Sequence, residues 1–246
     1  RPAALVVAGV ALGRGSPLTV TAGPSSDGRI WRHAVPALAP RHRWILYDVG
    51  GHGQGTVGGA DGTRDQLGDD LARLMDVIGL ERAAIAGFSL GGTIAMRLAI
   101  DQPEKVDVLF AVATSSRVGS AASEWYADRA AMSNAELRST IDRDTVDAYH
   151  ISPGELEEGL AIRRQSTQDP AGYRNAARAM AGLKAAPLDP ELVKIRARTL
   201  IVCADLDQHC PPRAGEIISA SIAVLTMVII LGSGHMLPAE KPQELA

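Results

Sequence analysis

A glycine-rich turn between an apolar run and a helical pattern is the feature that most constrains this fold. The turn reads Gly87-Phe88-Ser89-Leu90-Gly91 and carries the pattern G-x-S-x-G. The apolar run Ala83–Phe88 predicts a strand, and the apolar spacing after Ser89 predicts a helix that ends before Pro103. Glycines at such a junction avoid backbone clashes, so the serine hydroxyl projects above the sheet as a candidate nucleophile. A purely structural turn is the alternative.

Short apolar runs alternate with helical patterns along the first half of the chain and return near its end. A helix is predicted over about Asp65–Ile78, stopped by Gly79. The alternation and the nearly continuous apolar character of the later runs predict a doubly wound, mostly parallel sheet. The predicted strands are Leu5–Val10, Leu18–Ala22, Trp44–Tyr47, Ala83–Phe88, Val106–Ala113, Thr199–Ala204 and Ala223–Leu231.

Residues between about Ser116 and Pro190 lack strand patterns and are rich in Glu, Arg, Ala and Leu. The segment predicts a helical cap, and gives a domain division of 1–115 and 191–246 for the α/β core and 116–190 for the cap. The predicted cap helices are Ala122–Met132, Asn134–Ala148, Gly154–Thr167 and Pro170–Ala181.

Composition excludes several classes of function. Of the 246 residues, 46% are apolar, which is enough to form a sizeable core. Charged residues make up 22% and the net charge is -3, so the composition does not indicate a basic surface for nucleic acid. No apolar run of about 18 residues is present, so no membrane span is expected. No ligand-spaced cluster and no G-x-G-x-x-G after the first strand are present, so neither metal nor cofactor is expected.

Two further expectations concern location and chain ends. The apolar stretch Arg1–Gly9 lacks a cleavage-site pattern and is interpreted as a strand, which favours a cytoplasmic protein. The two cysteines, Cys203 and Cys210, are expected to be reduced thiols, with a disulfide as the alternative. The missing initial Met and the final Glu244-Leu245-Ala246 lead us to expect further sequence at both ends.

Several segments together resemble a known family. They are Tyr47–Gly53, Asp69–Ala83, Gly87–Gly92, Thr114–Ser120 and Thr167–Tyr173. The chain resembles the α/β-hydrolase superfamily along nearly its whole length and, within it, 3-oxoadipate enol-lactonases. The resemblance implies an α/β-hydrolase fold with a helical cap inserted after the sixth strand, and hydrolysis of a small-molecule ester or lactone.

A serine nucleophile requires a base, and in this fold the chain order is serine, acid, histidine. The histidines after Ser89 are His150, His209 and His235, and His235 lies in the turn after the last predicted strand, where the fold presents its base. The loop after Thr199–Ala204 contains Asp205 and Asp207; alignment with the family favours Asp207, and the other carboxylate would cap the loop. The acid holds the imidazole tautomer and stabilises the imidazolium.

The oxyanion loop departs from the family pattern. When the loop is aligned backwards from Trp31, Ala22 occupies the position where the family usually carries His. Pro24 occupies the position whose backbone N–H is expected to bind the oxyanion, and proline has no N–H. Leu90, after the nucleophile, is the other expected donor. A donor from Ser25 or Ser26, or a loop shifted by one residue so that Ser25 replaces Pro24, remain open.

Substrate contacts are less constrained by the sequence. Arg117, after the strand that precedes the cap, is a candidate to hold a substrate carboxylate, with a surface or cap-anchoring arginine as the alternative. Trp125 and Phe88 are further candidates, with cap packing and sheet filling as their alternatives. Gly50 replaces a usual Arg, His52 is interpreted as structural, and the region around Asp142–Ile151 lacks the aromatic triplet of the enol-lactonases, so their substrate does not transfer.

Three functions stay open. The first is hydrolysis through an acyl-enzyme. The second is a cofactor-free lyase, oxygenase or perhydrolase on the same fold, to which the altered oxyanion loop gives weight. The third is a non-catalytic small-molecule receptor. The sequence leaves the natural substrate and the oligomeric state undetermined.

Overall fold

The computed structural model describes residues 9–12, 15–38, 40–57, 62–148 and 153–246. Its sheet has seven strands in the order β1-β3-β2-β4-β5-β6-β7, with β1 antiparallel to β3 and every other neighbouring pair parallel. The mostly parallel sheet is therefore confirmed; of the first predicted strand, residues 5–8 lie outside the described residues. The strands are β1 (Gly9–Leu12), β2 (Ser16–Thr21), β3 (His42–Tyr47), β4 (Ala83–Phe88), β5 (Val106–Val112), β6 (Arg198–Ala204) and β7 (Leu225–Ile230).

Helices connect the strands and cover the sheet. Three short segments, Gly28–Trp31, Pro103–Lys105 and Asp189–Lys194, are 3₁₀ helices. The α-helices of the described residues are α1 (Val35–Leu38), α2 (Arg64–Val77), α3 (Leu90–Asp101), α4 (Ser120–Ala131), α5 (Asn134–Ala148), α6 (Pro153–Ser166), α7 (Pro170–Gly182), α8 (Pro212–Ser219), α9 (Leu237–Glu240) and α10 (Pro242–Leu245).

Helix α2 shows how local sequence sets these boundaries. Thr63 caps its start by accepting the Gln66 N–H, and Gly79, at φ 68°, follows its end. Four of the five apolar residues of the predicted stripe are buried, but Ile78 is 42% exposed. Ile78 departs from the prediction because it is the C-terminal cap, beyond the last helical turn, where it no longer faces the sheet.

The two faces of the sheet carry different cores. One buries α2 and α3 through residues such as Leu71, Ile85 and Leu98. The other packs Trp31 and Trp44 with Phe88 and Met236, and borders a cavity of about 660 Å³ that none of the predicted site residues lines. Apolar packing on both faces holds the parallel strands side by side, and the candidate residues follow the ends of these strands.

The predicted helical segment follows β5, the fifth strand of the described residues and the one that the family resemblance counts as sixth. Helices α4–α7 agree with their predicted bounds to within two residues. They share a small core of Leu137, Ile141, Tyr173 and Ala177. The ends of the segment meet, since the Leu188 N–H donates to the Ser116 carbonyl at 2.8 Å. The division of the chain into an α/β core and a cap over 116–190 stays a prediction.

Candidate active site

Ser89 occupies a strained turn between β4 and α3. Its φ is 54° and its ψ is -123°, a conformation that costs a non-glycine residue about 1–3 kcal/mol. The turn is held by the Ser89 N–H, which donates to the Val112 carbonyl at 2.9 Å, and by the Thr114 hydroxyl, which donates to the Ser89 carbonyl at 2.6 Å. A Cβ on Gly87 would lie 2.1 Å from the Gly91 carbonyl oxygen, so the flanking glycine permits the turn.

Ser89, His235 and Asp207 form a continuous chain of contacts. His235 Nε2 lies 3.1 Å from Ser89 Oγ, and His235 Nδ1 lies 2.8 Å from Asp207 Oδ2. Ser89 is 4% exposed and Asp207 is 3% exposed, whereas the ring of His235 reaches the cavity. The structure thus brings together the predicted nucleophile, base and acid from three separate strand ends.

The environment of Asp207 keeps its carboxylate ionised. Burial acts to raise its pKa, but the charge and hydrogen bond of His235 outweigh burial and hold the pKa below its ordinary value. The backbone N–H groups of His209 and Cys210 add to this by donating to Oδ1 at 2.8 and 2.9 Å. Oδ2 is therefore left to accept a hydrogen bond from the Nδ1–H of His235, which fixes the ring tautomer.

The other candidate acid, Asp205, is exposed and has a different contact. Its Oδ1 accepts the Ser233 N–H at 3.3 Å, and so it ties the acid loop to the loop that carries His235. The structure thus places Asp205 beside the base loop and Asp207 against the base itself.

Glu240, which the sequence analysis did not single out, also supports the His235 loop. Its Oε2 accepts the Gly234 N–H at 2.6 Å and the Ser233 hydroxyl at 3.1 Å. No local motif marks this contact, because it forms only once α9 folds back over the turn.

The nucleophile opens onto a cavity of about 40 Å³. Several predicted residues line it: Pro24, Ser25, Phe88 and Trp125. Arg117 does not belong to the described lining; it is half-exposed and pairs with Asp189 at 3.0 Å, which is the cap-anchoring alternative. The role of Arg117 in substrate binding stays a prediction.

The aromatic candidates differ in how they reach the cavity. Phe88 is fully buried, fills the sheet and places its ring centroid 5.2 Å from that of His235. Trp125 carries the Arg129 guanidinium 3.2 Å above its ring centroid and meets Tyr126 edge-on at 4.8 Å. Arg129 in turn binds both carboxylate oxygens of Asp144, so the indole is held rigidly at the cavity wall.

Two further charged or titratable side chains lie in the lining, and sequence reasoning missed one of them, Arg163. His209, predicted only as a less favoured base, places its ring 5.0 Å from the ring of His235. The surrounding protein, and secondarily the charge of His235, hold the pKa of His209 well below its ordinary value. Arg163, on α6, lines the cavity although the sequence of that helix suggests a solvent-facing surface. His150, the remaining candidate base, lies outside the described residues.

The oxyanion loop closes as a tight turn over residues 23–26. The Ser26 N–H donates to the Gly23 carbonyl at 3.1 Å, Pro24 takes the second position and Ser25 the third with φ 65°, the pattern of a type II turn. Gly23 packs against the nucleophile, because an added Cβ would lie 2.9 Å from Ser89 Cβ. Pro24 thus faces the cavity without an N–H, while Leu90, the first residue of α3, has no helical acceptor for its own.

The described residues offer neither a metal site nor a membrane-spanning helix. Among the described residues, no group of three or more His, Cys, Asp or Glu side chains is placed to hold a metal ion. Cys203 and Cys210 are free and buried. In the same residues, no helix is both long and apolar enough to cross a membrane.

Comparison with known proteins places the chain in a family. A family model described as the alpha/beta hydrolase fold matches residues 20–242. The RutD protein of Azorhizobium caulinodans is 38% identical over 94 residues, 38% of this chain and 36% of that protein, so the match spans about a third of the relative. 3-Oxoadipate enol-lactonase 2 of Acinetobacter baylyi is 26% identical over 219 residues, 87% of this chain and 79% of the enzyme.

A solved structure agrees with these sequence matches. The crystal structure of a hydrolase from Pseudomonas aeruginosa PA01 aligns with a TM-score of 0.88 and 26% identity, over 98% of this chain and 91% of that one. The match to the family model over most of the chain, together with the sheet order and the turn at Ser89, shows that the chain belongs to the α/β-hydrolase fold family.

Proposed function

We propose that this chain is a serine hydrolase that cleaves a small carboxylic ester or lactone through an acyl-enzyme. The family supports a hydrolase, and the proposal adds the chemistry. The observation that carries it is the unbroken chain from Ser89 Oγ to His235 and on to Asp207, at 3.1 and 2.8 Å. This arrangement supplies a nucleophile, a base in contact with it and an acid that orients the base.

In the proposed mechanism, Ser89 Oγ attacks the substrate carbonyl while its proton passes to His235 Nε2. Asp207 stabilises the imidazolium. The negative charge on the carbonyl oxygen lies beside the Leu90 N–H, at the positive end of α3. Collapse of the tetrahedral intermediate breaks the bond to the leaving oxygen, which takes the proton from His235. Water then attacks the acyl-enzyme by the same route.

The cavity favours a small acyl group. Its volume beside Ser89 is about 40 Å³, so short acyl groups are the first to test. The enol-lactonase relative, at 26% identity, makes lactones a natural first class to test. In a lactone the leaving oxygen stays attached to the acyl group, so no second product has to fit the cavity.

The test combines turnover with labelling. A panel of small lactones and short-chain esters is assayed with the wild type, Ser89→Ala and the control Ser123→Ala, whose hydroxyl binds the Ala181 carbonyl on α7. A fluorophosphonate probe is mapped by peptide mass spectrometry. We expect Ser89-dependent turnover and a label on Ser89; an intact wild type with neither would refute the proposal.

Pro24 favours a second candidate, a cofactor-free reaction that is not hydrolysis. With a weaker oxyanion site, the cavity and His235 could serve proton transfer without acylation. Ser89→Ala distinguishes the two, because a non-hydrolytic reaction keeps most of its rate when the nucleophile is removed.

A further inference from the structure

An acyl-transfer site needs donors for the oxyanion, and this cavity offers fewer backbone donors than its fold allows. Leu90 supplies one N–H, but Pro24 stands where the second donor of the fold is expected and has none. The turn that contains Pro24 is fixed by the 3.1 Å hydrogen bond from Ser26 to Gly23 and by the close packing of Gly23 on Ser89. That bond occupies the Ser26 N–H, and the Ser25 hydroxyl donates to the Pro24 carbonyl at 2.5 Å, so a donor from another part of the cavity is a candidate replacement.

Arg163 is the side chain placed to do this. Its Nη2 donates to the Ser25 hydroxyl, and Ser25 directly follows Pro24. Its Nη1 lies 3.6 Å from the sulfur of Met236, and Met236 directly follows His235. The guanidinium thus contacts both the residue after the missing donor and the residue after the base, in the cavity that Ser89 also lines.

Arg163 brings a positive charge to the described lining of the cavity. Within the described lining, Arg163 is the only Lys or Arg side chain, and Asp144 is the only carboxylate. The Asp144 carboxylate accepts hydrogen bonds from Nη2 and Nε of Arg129, at 2.8–3.0 Å. Its negative charge is therefore balanced by Arg129, which is not part of the described lining. The charge of Arg163 also acts on the neighbouring His209, whose pKa it helps to lower.

The small volume brings this charge close to the reaction. Ser89 and Arg163 line the same cavity of about 40 Å³, so an oxyanion formed on Ser89 develops in the space that the guanidinium borders. A charge-assisted hydrogen bond from Arg is also stronger than one from a backbone N–H.

We propose that Arg163 is a catalytic residue, whose guanidinium donates a hydrogen bond to the oxyanion in place of the N–H that Pro24 lacks. This rests on the proposed hydrolase function. As the bond from Ser89 Oγ to the carbonyl carbon forms, the carbonyl π electrons move onto oxygen, and Arg163 stabilises that charge while keeping its proton. When the intermediate collapses, the electrons return and the contact weakens.

The test uses neighbouring arginines as a matched pair. Arg163→Met removes the donor, and Arg164→Met removes an exposed arginine that pairs with Asp142 outside the cavity. With an uncharged ester, we expect Arg163→Met to lower kcat by about 10²–10³ with KM little changed, and Arg164→Met to match the wild type. Arg163→Lys keeps the positive charge but loses the paired N–H donors of the guanidinium, so its kcat is expected to lie between those of the two Met variants. It keeps the proposal testable if Arg163→Met does not fold.

Pro24→Ala provides the rescue that a structural role would not allow. It restores an N–H at position 24, so Pro24→Ala combined with Arg163→Met is expected to regain at least about tenfold in kcat over Arg163→Met alone. Both are assayed with thermal melts to establish that each variant is folded.

The outcomes separate the two proposals. A wild type without Ser89-dependent hydrolysis refutes the proposed function itself. An active wild type whose Arg163→Met and Arg163→Lys variants keep full kcat overturns this inference alone. The inference is also overturned if Arg163→Met only raises KM for anionic esters, because Arg163 would then bind the substrate. It is overturned as well if adding Pro24→Ala does not restore the kcat lost in Arg163→Met.

Discussion

His235 Nε2 lies 3.1 Å from Ser89 Oγ, although 146 positions separate the two residues in the chain. The contact depends on the opposite side of the ring, where Nδ1 meets Asp207 Oδ2 at 2.8 Å. Because Asp207 Oδ1 is occupied by two backbone N–H groups, the carboxylate presents one defined oxygen to the ring. The orientation of the base is thus set by the backbone of the acid loop.

Asp207→Asn is expected to lower kcat by roughly 10⁴-fold. The amide oxygen would keep the N–H groups of His209 and Cys210, so the amide nitrogen would face His235 and force its proton onto Nε2, the wrong tautomer. The measurement is kcat on the best ester or lactone of the panel. Asp205→Asn, at the exposed neighbouring acid, serves as the control, and an equal loss there would contradict the assignment of roles.

The ionised carboxylate of Asp207 is also expected to make the stability of the folded protein depend on pH. Since the pKa of Asp207 is lowered in the folded protein, the unfolded chain binds its proton first as the pH falls. The stabilisation is therefore fully present above about pH 4, the ordinary range for Asp, and is lost as the pH falls through the folded pKa. Urea unfolding between pH 3 and 6 measures it: the difference in unfolding free energy between wild type and Asp207→Asn should shrink over this range, and a constant difference would contradict the shift.

The sequence predicted the elements around Ser89 well because their signals are local. Gly87, Pro103 and Gly79 each mark a turn or a helix end through their own backbone restrictions, and apolar periodicity marks the buried faces. The order of acid and base followed from the family resemblance, and the structure places those residues in contact.

The sequence could not show which arginine enters the cavity. Arg117 follows a strand and was a candidate to hold a substrate carboxylate, yet it pairs with Asp189 and lies outside the described lining. Arg163 lies in a helix of mixed charge, beside Arg164, and only the packing of α6 against the loop of Ser25 turns one inward and leaves the other exposed. The positive φ of Ser25 was equally hidden, because the sequence marks such positions only when they are glycine.

Gly87→Ala is expected to destabilise the fold by more than about 3 kcal/mol, because it places a methyl group against backbone that cannot retreat. The new Cβ would lie 2.1 Å from the Gly91 carbonyl oxygen. Gly119→Ala is the matched control: nothing lies within 4 Å of its added Cβ and its φ is -77°. Because Gly119 is the N-cap of α4, its replacement by alanine should cost about 1 kcal/mol, clearly less than Gly87→Ala. Chemical denaturation measures both variants, and equal costs would contradict the prediction.

Ser25 allows backbone strain to be separated from the role of its hydroxyl. Ser25 has φ 65° and is completely buried. Ser25→Gly and Ser25→Ala both remove the hydroxyl that Arg163 contacts, but only glycine is relaxed at this φ, so Ser25→Gly should be more stable than Ser25→Ala by about 1 kcal/mol. Urea unfolding measures the difference. Equal stabilities would mean that the turn changes conformation when the hydroxyl is lost.

Glu240→Gln tests whether the base depends on support from α9. The carboxylate accepts the Gly234 N–H at 2.6 Å and the Ser233 hydroxyl at 3.1 Å, and a neutral amide would bind both more weakly. Because a small displacement of a catalytic group is costly, we expect kcat to fall by about tenfold to a hundredfold while KM is nearly unchanged. Glu244→Gln, on the exposed side of α10 and 3.8 Å from Lys241, is the control and should keep the wild-type kcat. A loss confined to KM, or one matched by Glu244→Gln, would assign Glu240 to substrate binding or general stability rather than to positioning His235.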